Sequence, residues 1–147
     1  MTQERFKVIP AVHVFFVRDG QILMLRRLNT GYEDGNYSVP AGHLDGGEPI
    51  RNAAAREVRK ETTIVVELDD LRLIHTMHAF ANDGERVNFF FAPADWTGEP
   101  ANAEPDKCDD LSWFPLDQLP SHTVPYVRAA FANFRATVPY SEFGWQR

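Results

Sequence analysis

Two glutamates one helical turn apart, Glu57 and Glu61, are the residues of this sequence best suited to carry chemistry. Apolar residues recur around them at the spacing of an α-helix, and both glutamates fall within this apolar stripe, which consists of Ile50, Ala53, Ala54 and Val58. A carboxylate on the buried face of a helix is costly unless a positive group pairs with it. Because hard divalent cations prefer oxygen ligands, the pattern predicts a metal ion against this face of the helix.

The segment in front of this helix is rich in glycine and should turn the chain past the glutamates. Asp45-Gly46-Gly47 is a turn sequence, and Pro49 suits the first turn of a helix, where its missing N–H costs nothing. Gly42 begins the segment, and a glycine allows close approach of the backbone to a neighbouring group. We therefore expect this loop to lie next to the carboxylates.

The spacing of these residues follows a fixed pattern: a glycine, five residues, a glutamate, seven residues, and then Arg-Glu-Val. This pattern resembles the signature of the Nudix (MutT-like) hydrolases. The matching positions are Gly42, Glu48, Arg56, Glu57, Val58, Glu61 and Ile64. Lys60 and Thr63 depart from it, because the family usually has a glutamate and a glycine there. The order of the remaining segments is also similar, so the resemblance covers most of the chain.

The resemblance implies a fold and a reaction. The fold is of the α/β class, a Nudix-like α/β/α sandwich around a mixed sheet, formed by residues 1–147 as a single domain. The reaction is hydrolysis of a phosphoanhydride bond in a nucleoside di- or triphosphate derivative, with Mg²⁺ or Mn²⁺, releasing a nucleoside monophosphate. A catalytically weak domain that binds a nucleotide without turnover is the alternative. Residues 77–81 lack the proline and tyrosine markers of some relatives, which favours nucleoside triphosphates.

The resemblance also assigns roles to the matching residues. Glu57 and Glu61 correspond to metal-binding glutamates, and the backbone carbonyl near Gly42 is a further ligand in many relatives. Arg56 corresponds to the arginine that anchors the motif, and Glu48 to the glutamate that orients it. Together, the last two should form an ion pair between loop and helix. Glu61 is also a candidate for activating water.

Lys60 and Thr63, which depart from the motif, each predict a local difference from the family. The ammonium of Lys60 should either pair with Glu57 or Glu61 or contact a substrate phosphate, and the number of metal ions stays open. Thr63 stands where the family has a glycine in the left-handed conformation. Since a β-branched residue tolerates that conformation poorly, we expect the helix to end differently.

Further candidates lie outside the motif. Arg26 and Arg27 end a predicted strand and point to opposite faces; each is either a solvated strand end or a contact for a substrate anion. The resemblance also implies one more acidic metal ligand from a predicted loop over 93–112, and its candidates are Glu104, Asp106, Asp109 and Asp110. Taken alone, each of them is more often a solvated loop carboxylate. Tyr32 is equally plausible as a stacking surface for a base and as a packing residue.

The remaining pattern predicts strands before and after the helix. The predicted strands cover residues 8–18, 21–28, 64–67, 71–80, 85–92 and 111–114, with a short extended piece at 38–44 and a turn at 82–84. A second helix is predicted over 123–137, with one face made of Val124, Val127, Phe131 and Phe134. The aromatic tail from Tyr140 should dock on the domain or on another subunit.

Composition excludes several classes of protein. The net charge of −6 argues against binding a nucleic acid polymer, but it allows a small nucleotide whose phosphates are bridged by cations. Cys108 is the only cysteine, so an internal disulfide is impossible and a reducing, cytoplasmic setting is expected. Because no long apolar run is present, we expect neither a signal peptide nor a membrane span. A homodimer is possible.

Overall fold

A computed structural model describes residues 3–81 and 84–145. Two residues of the predicted turn at 82–84 therefore lie outside the described part. There are two described α-helices, α1 (Ile50–Thr62) and α2 (Pro125–Arg135), and a short 3₁₀ helix, Leu68–Asp70. The strands are β1 (Ile9–Val14), β2 (Val17–Arg18), β3 (Gln21–Arg27), β4 (Tyr37–Ser38), β5 (Ala41–His43), β6 (Leu71–Ala81), β7 (Gly84–Pro93), β8 (Cys108–Pro115) and β9 (Tyr140–Phe143).

The strands form two sheets. The larger has the order β5-β1-β7-β6-β9 and is mixed, because β1 runs parallel to β7 and β6 parallel to β9, whereas its other pairs are antiparallel. In the smaller sheet, β3 pairs with β8 along its whole length and with β2 and β4 at its two ends. The strand β5, which carries Gly42, is thus an edge strand of the larger sheet.

The two α-helices cover opposite faces of the larger sheet. Successive residues of β7 show this, because side chains alternate between the faces of a strand. Phe91 belongs to a buried cluster with Val58 of α1, and Phe90 to a second cluster with Phe131 of α2. The predicted α/β/α sandwich around a mixed sheet is confirmed. So is the apolar face of the second helix, where Val127 and Phe131 are buried.

Two segments differ from their predicted structure. Residues 64–67 are not a strand, since Val65 makes only an isolated bridge to Thr97. The predicted loop over 93–112 ends early, because β8 begins at Cys108. The tail docks on the domain, which was one of the two expectations: it forms β9, which extends the larger sheet, and beyond it the indole N–H of Trp145 donates to the carbonyl of His78. Among the described residues, no helix is both long and apolar enough to cross a membrane.

The end of α1 is also different from the expectation. Thr63 adopts the left-handed conformation, with φ of 67°, and its N–H donates to the carbonyl of Arg59. The helix therefore ends as it would with a glycine. Burial of the next residue, Ile64, which is 0% exposed, requires this turn. The hydroxyl of Thr62 supports it by donating to the Val58 carbonyl and accepting from the Ile64 N–H. Tertiary packing here outweighs a local cost of roughly 1–3 kcal/mol.

Candidate active site

Glu57 lies on the inner face of α1, directly against Gly42 of β5. It is 8% exposed, although it is an acidic residue. A β-carbon built on Gly42 would lie 2.3 Å from Cδ and 2.7 Å from Oε2 of Glu57. No side chain fits in that space, so a glycine is required at position 42 for this glutamate to reach the edge of the sheet.

Arg56 holds the loop, the helix and Glu57 together. Its Nε and Nη2 donate to Oε1 of Glu48 over 3.0 and 2.7 Å, and its Nη1 donates to Oε1 of Glu57 over 2.8 Å. Asp45 lies 3.4 Å from Nη2. The hydrogen bonds that it donates to Glu48 raise the pKa of the Arg56 guanidinium further above its ordinary range. The ion pair predicted between loop and helix is therefore present, and it also restrains a second carboxylate.

Glu61 lies one turn further along α1, beside Glu57. The N–H of Ala41 donates to its Oε1 over 3.4 Å. Burial, and then the negative charge of Glu57, raise the pKa of Glu61 well above its usual value. The ammonium of Lys60 is 3.9 Å from Oε2 of Glu57, which makes a long ion pair at an exposed side chain. Two carboxylates this close on the inner face of a helix form a donor set that suits a hard divalent cation.

Side chains alone do not complete a metal site here. In the described ranges, no group of three or more histidine, cysteine, aspartate or glutamate side chains is placed to hold a metal ion. A cation between Glu57 and Glu61 would need backbone or water oxygens as well. Magnesium commonly uses one or two carboxylates and keeps several waters, so the two glutamates beside the backbone of Gly42 fit such an ion.

The glutamates form one end of a cleft of about 860 Å³. That volume falls within the range of small-molecule sites. Positive and negative side chains both line the cleft: Arg27, Arg56, Lys60, Arg86 and Lys107, and Asp45, Glu57, Glu61 and Glu104. The mixture suits an anionic ligand that is bound together with a cation, even though the chain as a whole is acidic.

The two arginines at the end of β3 lie in different places. Arg27 lines the cleft, where its Nε donates to the carbonyl of Tyr32 over 2.6 Å and its Nη2 to the hydroxyl of Thr30 over 3.0 Å. Arg26 is not among the lining residues, and its Nε donates to Asp109 over 2.7 Å. The opposite faces predicted for this pair are thus observed, and only Arg27 faces the cleft.

The four acidic candidates for a further metal ligand also lie in different environments. Glu104 lines the cleft, and its charge contributes to the raised pKa of Glu61. Asp109 pairs with Arg26. Asp110 accepts hydrogen bonds from the hydroxyls of Tyr37 and Ser112, and Asp106 is not among the lining residues. The geometry therefore favours Glu104.

Sequence reasoning missed another part of the cleft. His13 of β1 and Tyr126 of α2 both line it, and Nε2 of His13 is 2.8 Å from the Tyr126 hydroxyl. Burial lowers the pKa of His13 to about 3, so the imidazole is neutral at physiological pH. Neither residue belongs to a recognisable motif, and only the packing of α2 on the sheet brings them together.

Known proteins resemble this chain over most of its length. The family model described as the NUDIX domain matches residues 7–134. A solved MutT NUDIX hydrolase from Burkholderia pseudomallei is 30% identical, with a TM-score of 0.79 over 86% of this chain and 98% of that one. A curated relative from Stutzerimonas stutzeri, named NAD-capped RNA hydrolase NudC, is 28% identical over 78% of this chain, but over only 39% of its own length. A relative of the same name from Shigella dysenteriae is 29% identical over 84% of this chain and 46% of its own length. The chain thus spans less than half the length of these curated relatives.

Proposed function

Since the chain belongs to the NUDIX domain family, we propose that it hydrolyses a phosphoanhydride bond in a nucleoside di- or triphosphate derivative and releases a nucleoside monophosphate. The observation that carries this proposal is the pair of buried Glu57 and half-buried Glu61 in a cleft that is also lined by five cationic side chains. A polyphosphate chain together with a divalent cation neutralises both sets of charges.

Glu57, Glu61 and the backbone carbonyl of Gly42 would hold Mg²⁺ or Mn²⁺. When bound, such an ion neutralises phosphate charge, polarises a phosphoryl oxygen and lowers the pKa of a bound water. Arg56 and Glu48 are positioning residues in this proposal, because they fix the Glu57 carboxylate through the hydrogen bonds described above. Hydrogen-bond partners of metal ligands commonly matter nearly as much as the ligands themselves.

Lys60 and Arg27 would bind the phosphates from the two sides of the cleft. Lys60 is 54% exposed, and its pairing with Glu57 is long, so its ammonium has hydrogen-bonding capacity left for a phosphate oxygen. Arg27 is oriented by the carbonyl of Tyr32 and the hydroxyl of Thr30. Arg26 has no place in this arrangement because Asp109 holds it outside the lining.

A domain that binds nucleotides without turnover is the second candidate. The observation that favours it is Lys60, which stands where the family motif has an acidic residue and brings a positive charge next to Glu57. Thr63 does not favour it, since α1 ends in the left-handed turn in spite of the threonine.

A hydrolysis screen separates the two candidates. Nucleoside triphosphates, sugar nucleotides, dinucleoside polyphosphates and an NAD-capped oligonucleotide are each incubated with Mg²⁺ and with Mn²⁺. We expect metal-dependent release of a nucleoside monophosphate, abolished in Glu57→Gln. If nothing is hydrolysed while nucleotides still raise the Tm, the second candidate is correct. The NAD-capped oligonucleotide is included because of the names of the relatives; the acidic charge of this chain argues for small substrates.

The proposal extends to the cellular location and the oligomeric state of the protein. Residues 1–147 would act as one hydrolase domain in the cytoplasm, where the single, buried Cys108 stays reduced. A homodimer could form at the outer edge of β9, which is the last strand of the larger sheet. Light scattering of the purified chain tests the dimer directly.

A further inference from the structure

Tyr32 is an exposed aromatic residue on the wall of the cleft. It belongs to the loop between β3 and β4, lines the cleft and is 41% exposed. In the described part of the chain it is not a member of either buried cluster. Tyr126, which also lines the cleft, does pack against the cluster that contains Phe131, and its ring centroid lies 5.4 Å from that of His13. Packing in the core therefore accounts for the position of Tyr126 but not for that of Tyr32.

The loop that carries Tyr32 is held by hydrogen bonds of its own. Asp34 accepts from the N–H and the hydroxyl of Thr30 over 3.1 and 2.6 Å, and from the N–H of Gly31 over 3.0 Å. The N–H of Tyr32 donates to the hydroxyl oxygen of Thr30 over 3.2 Å, and its carbonyl accepts from Arg27. The ring is thus presented by a backbone that is already fixed, which keeps the entropy cost of binding against it small.

The ring of Tyr32 also lies next to a cation that the proposed function assigns to the phosphates. The central carbon of the Arg27 guanidinium is 5.4 Å from the ring centroid. In a nucleotide, a single ribose separates the base from its first phosphate. A phosphate bound at Arg27 therefore leaves the base within reach of the ring of Tyr32.

We propose that Tyr32 forms a stacking subsite for the base of the nucleotide. Every base has a flat π face, so an aromatic ring accepts any of them by stacking. The subsite would distinguish nucleotides from polyphosphates that lack a base, and it would not select one base over another. This inference rests on the proposed function for the location of the phosphates, but it concerns binding and not the hydrolytic step.

The test compares two ligands in the presence of Mg²⁺. One is a nucleoside triphosphate analogue with methylene groups in place of its bridging oxygens, which cannot be hydrolysed, and the other is the same compound without its base. Calorimetric titration gives both Kd values. We expect Tyr32→Ala to weaken the nucleotide analogue about 5- to 150-fold. The compound without a base should bind as before, because Arg27 is held by the backbone carbonyl of residue 32, which an alanine retains.

Two further variants serve as controls. Tyr32→Phe keeps the ring and removes only the hydroxyl, so it should bind both ligands as the wild type does. Tyr140→Ala removes a tyrosine that is 50% exposed on β9 and does not line the cleft, and it should leave both Kd values unchanged.

Three results would overturn the inference. The first is a wild type that binds the nucleotide analogue no more tightly than the compound without a base. The second is an equal loss for both ligands in Tyr32→Ala, which would show that the ring only orients Arg27. The third is a loss in Tyr32→Phe as large as in Tyr32→Ala.

A second measurement applies if Tyr32→Ala does not fold. Nuclear Overhauser effects between the ring protons of Tyr32 and the base protons must then appear in the wild type with the nucleotide analogue bound, and their absence would overturn the inference. Failure of the proposed function has a different signature, because the wild type would then hydrolyse no nucleotide while the two Kd values still differ.

Discussion

The carboxylate of Glu57 occupies the space that a side chain at position 42 would need, with its Cδ only 2.3 Å from the place of a β-carbon on Gly42. This contact joins the helix α1 to the edge strand β5. It means that the glycine of the motif has a steric role that can be separated from any role of its carbonyl.

The first prediction concerns Gly42→Ala. The added methyl group must displace Glu57, so we expect a loss of stability of about 1–3 kcal/mol together with a loss of hydrolysis. Denaturant unfolding in the Glu57→Ala background is the control, because the clash is then gone and the same alanine should cost little. An equal cost in both backgrounds would show that Gly42 is needed for a reason other than Glu57.

The second prediction concerns pH and Glu61 in the metal-free protein. Its pKa in the folded chain lies well above the 4.5 of an ordinary glutamate. Between those two values the folded chain binds more protons than the unfolded chain, so the free energy of unfolding falls as pH rises. With a chelator present, the Tm of Glu61→Gln should therefore fall less than that of the wild type from pH 4.5 towards neutrality. Identical pH profiles for the two proteins would contradict this.

The third prediction concerns Arg56→Lys. A lysine cannot contact Glu48 and Glu57 together as the guanidinium does, so kcat/KM should fall about 10- to 100-fold. Arg18→Lys is the matched control, because Arg18 makes a two-pronged pair with Glu99 at 3.0 Å outside this cleft. That change should leave hydrolysis unaltered, and a similar loss in both variants would refute the positioning role of Arg56.

The fourth prediction concerns Lys60→Glu. If the ammonium binds a phosphate, KM should rise at least about tenfold, since a hydrogen bond to a charged group is worth roughly 1.5–3 kcal/mol. Arg59→Glu makes the same change of charge on an exposed position of α1 that does not line the cleft, and it should have little effect. A lower metal requirement at unchanged KM would instead show that Lys60 competes with the metal ion.

The fifth prediction separates the acidic candidates for a further ligand. Glu104→Gln should raise the concentration of Mg²⁺ that gives half-maximal activity, by about tenfold, because Glu104 lies in the cleft near Glu61. Asp106→Asn also replaces a carboxylate by an amide, but at a residue that does not line the cleft, and it should leave that concentration unaltered. Equal metal dependence in both variants and the wild type would remove Glu104 from the site.

The motif was predictable from sequence because its residues are close along the chain. A loop followed by a helix brings Glu48 and Arg56 together whatever the rest of the fold does, and helical spacing alone aligns Glu57 with Glu61. The same local reasoning failed where distant packing decides the structure. Thr63 takes a conformation against its own preference because Ile64 is drawn into the core.

Other parts of the cleft carry no signal in the sequence. His13, Arg86 and Tyr126 come from β1, β7 and α2, and only strand pairing and helix docking bring them to one cleft. The prediction for 64–67 was wrong for a related reason. The β-branched residues of this segment suit a strand, but Val65 is exposed and makes one isolated bridge, while Ile64 and Val66 pack into the core without a neighbouring strand. Local sequence patterns do not determine which strands pair when the strands are far apart along the chain.

The place of β1 between β5 and β7 has a consequence for synthesis on the ribosome. A nascent chain that has emerged as far as Ile64 presents every residue of the motif, but β7, which pairs with β1 and supplies Phe91 to the cluster under α1, has not yet emerged. Domains generally fold as units as their chain emerges. The carboxylates of α1 should therefore acquire fixed positions only after Pro93 has emerged from the ribosome, and a chain stalled before that point would display the whole motif and no ordered site.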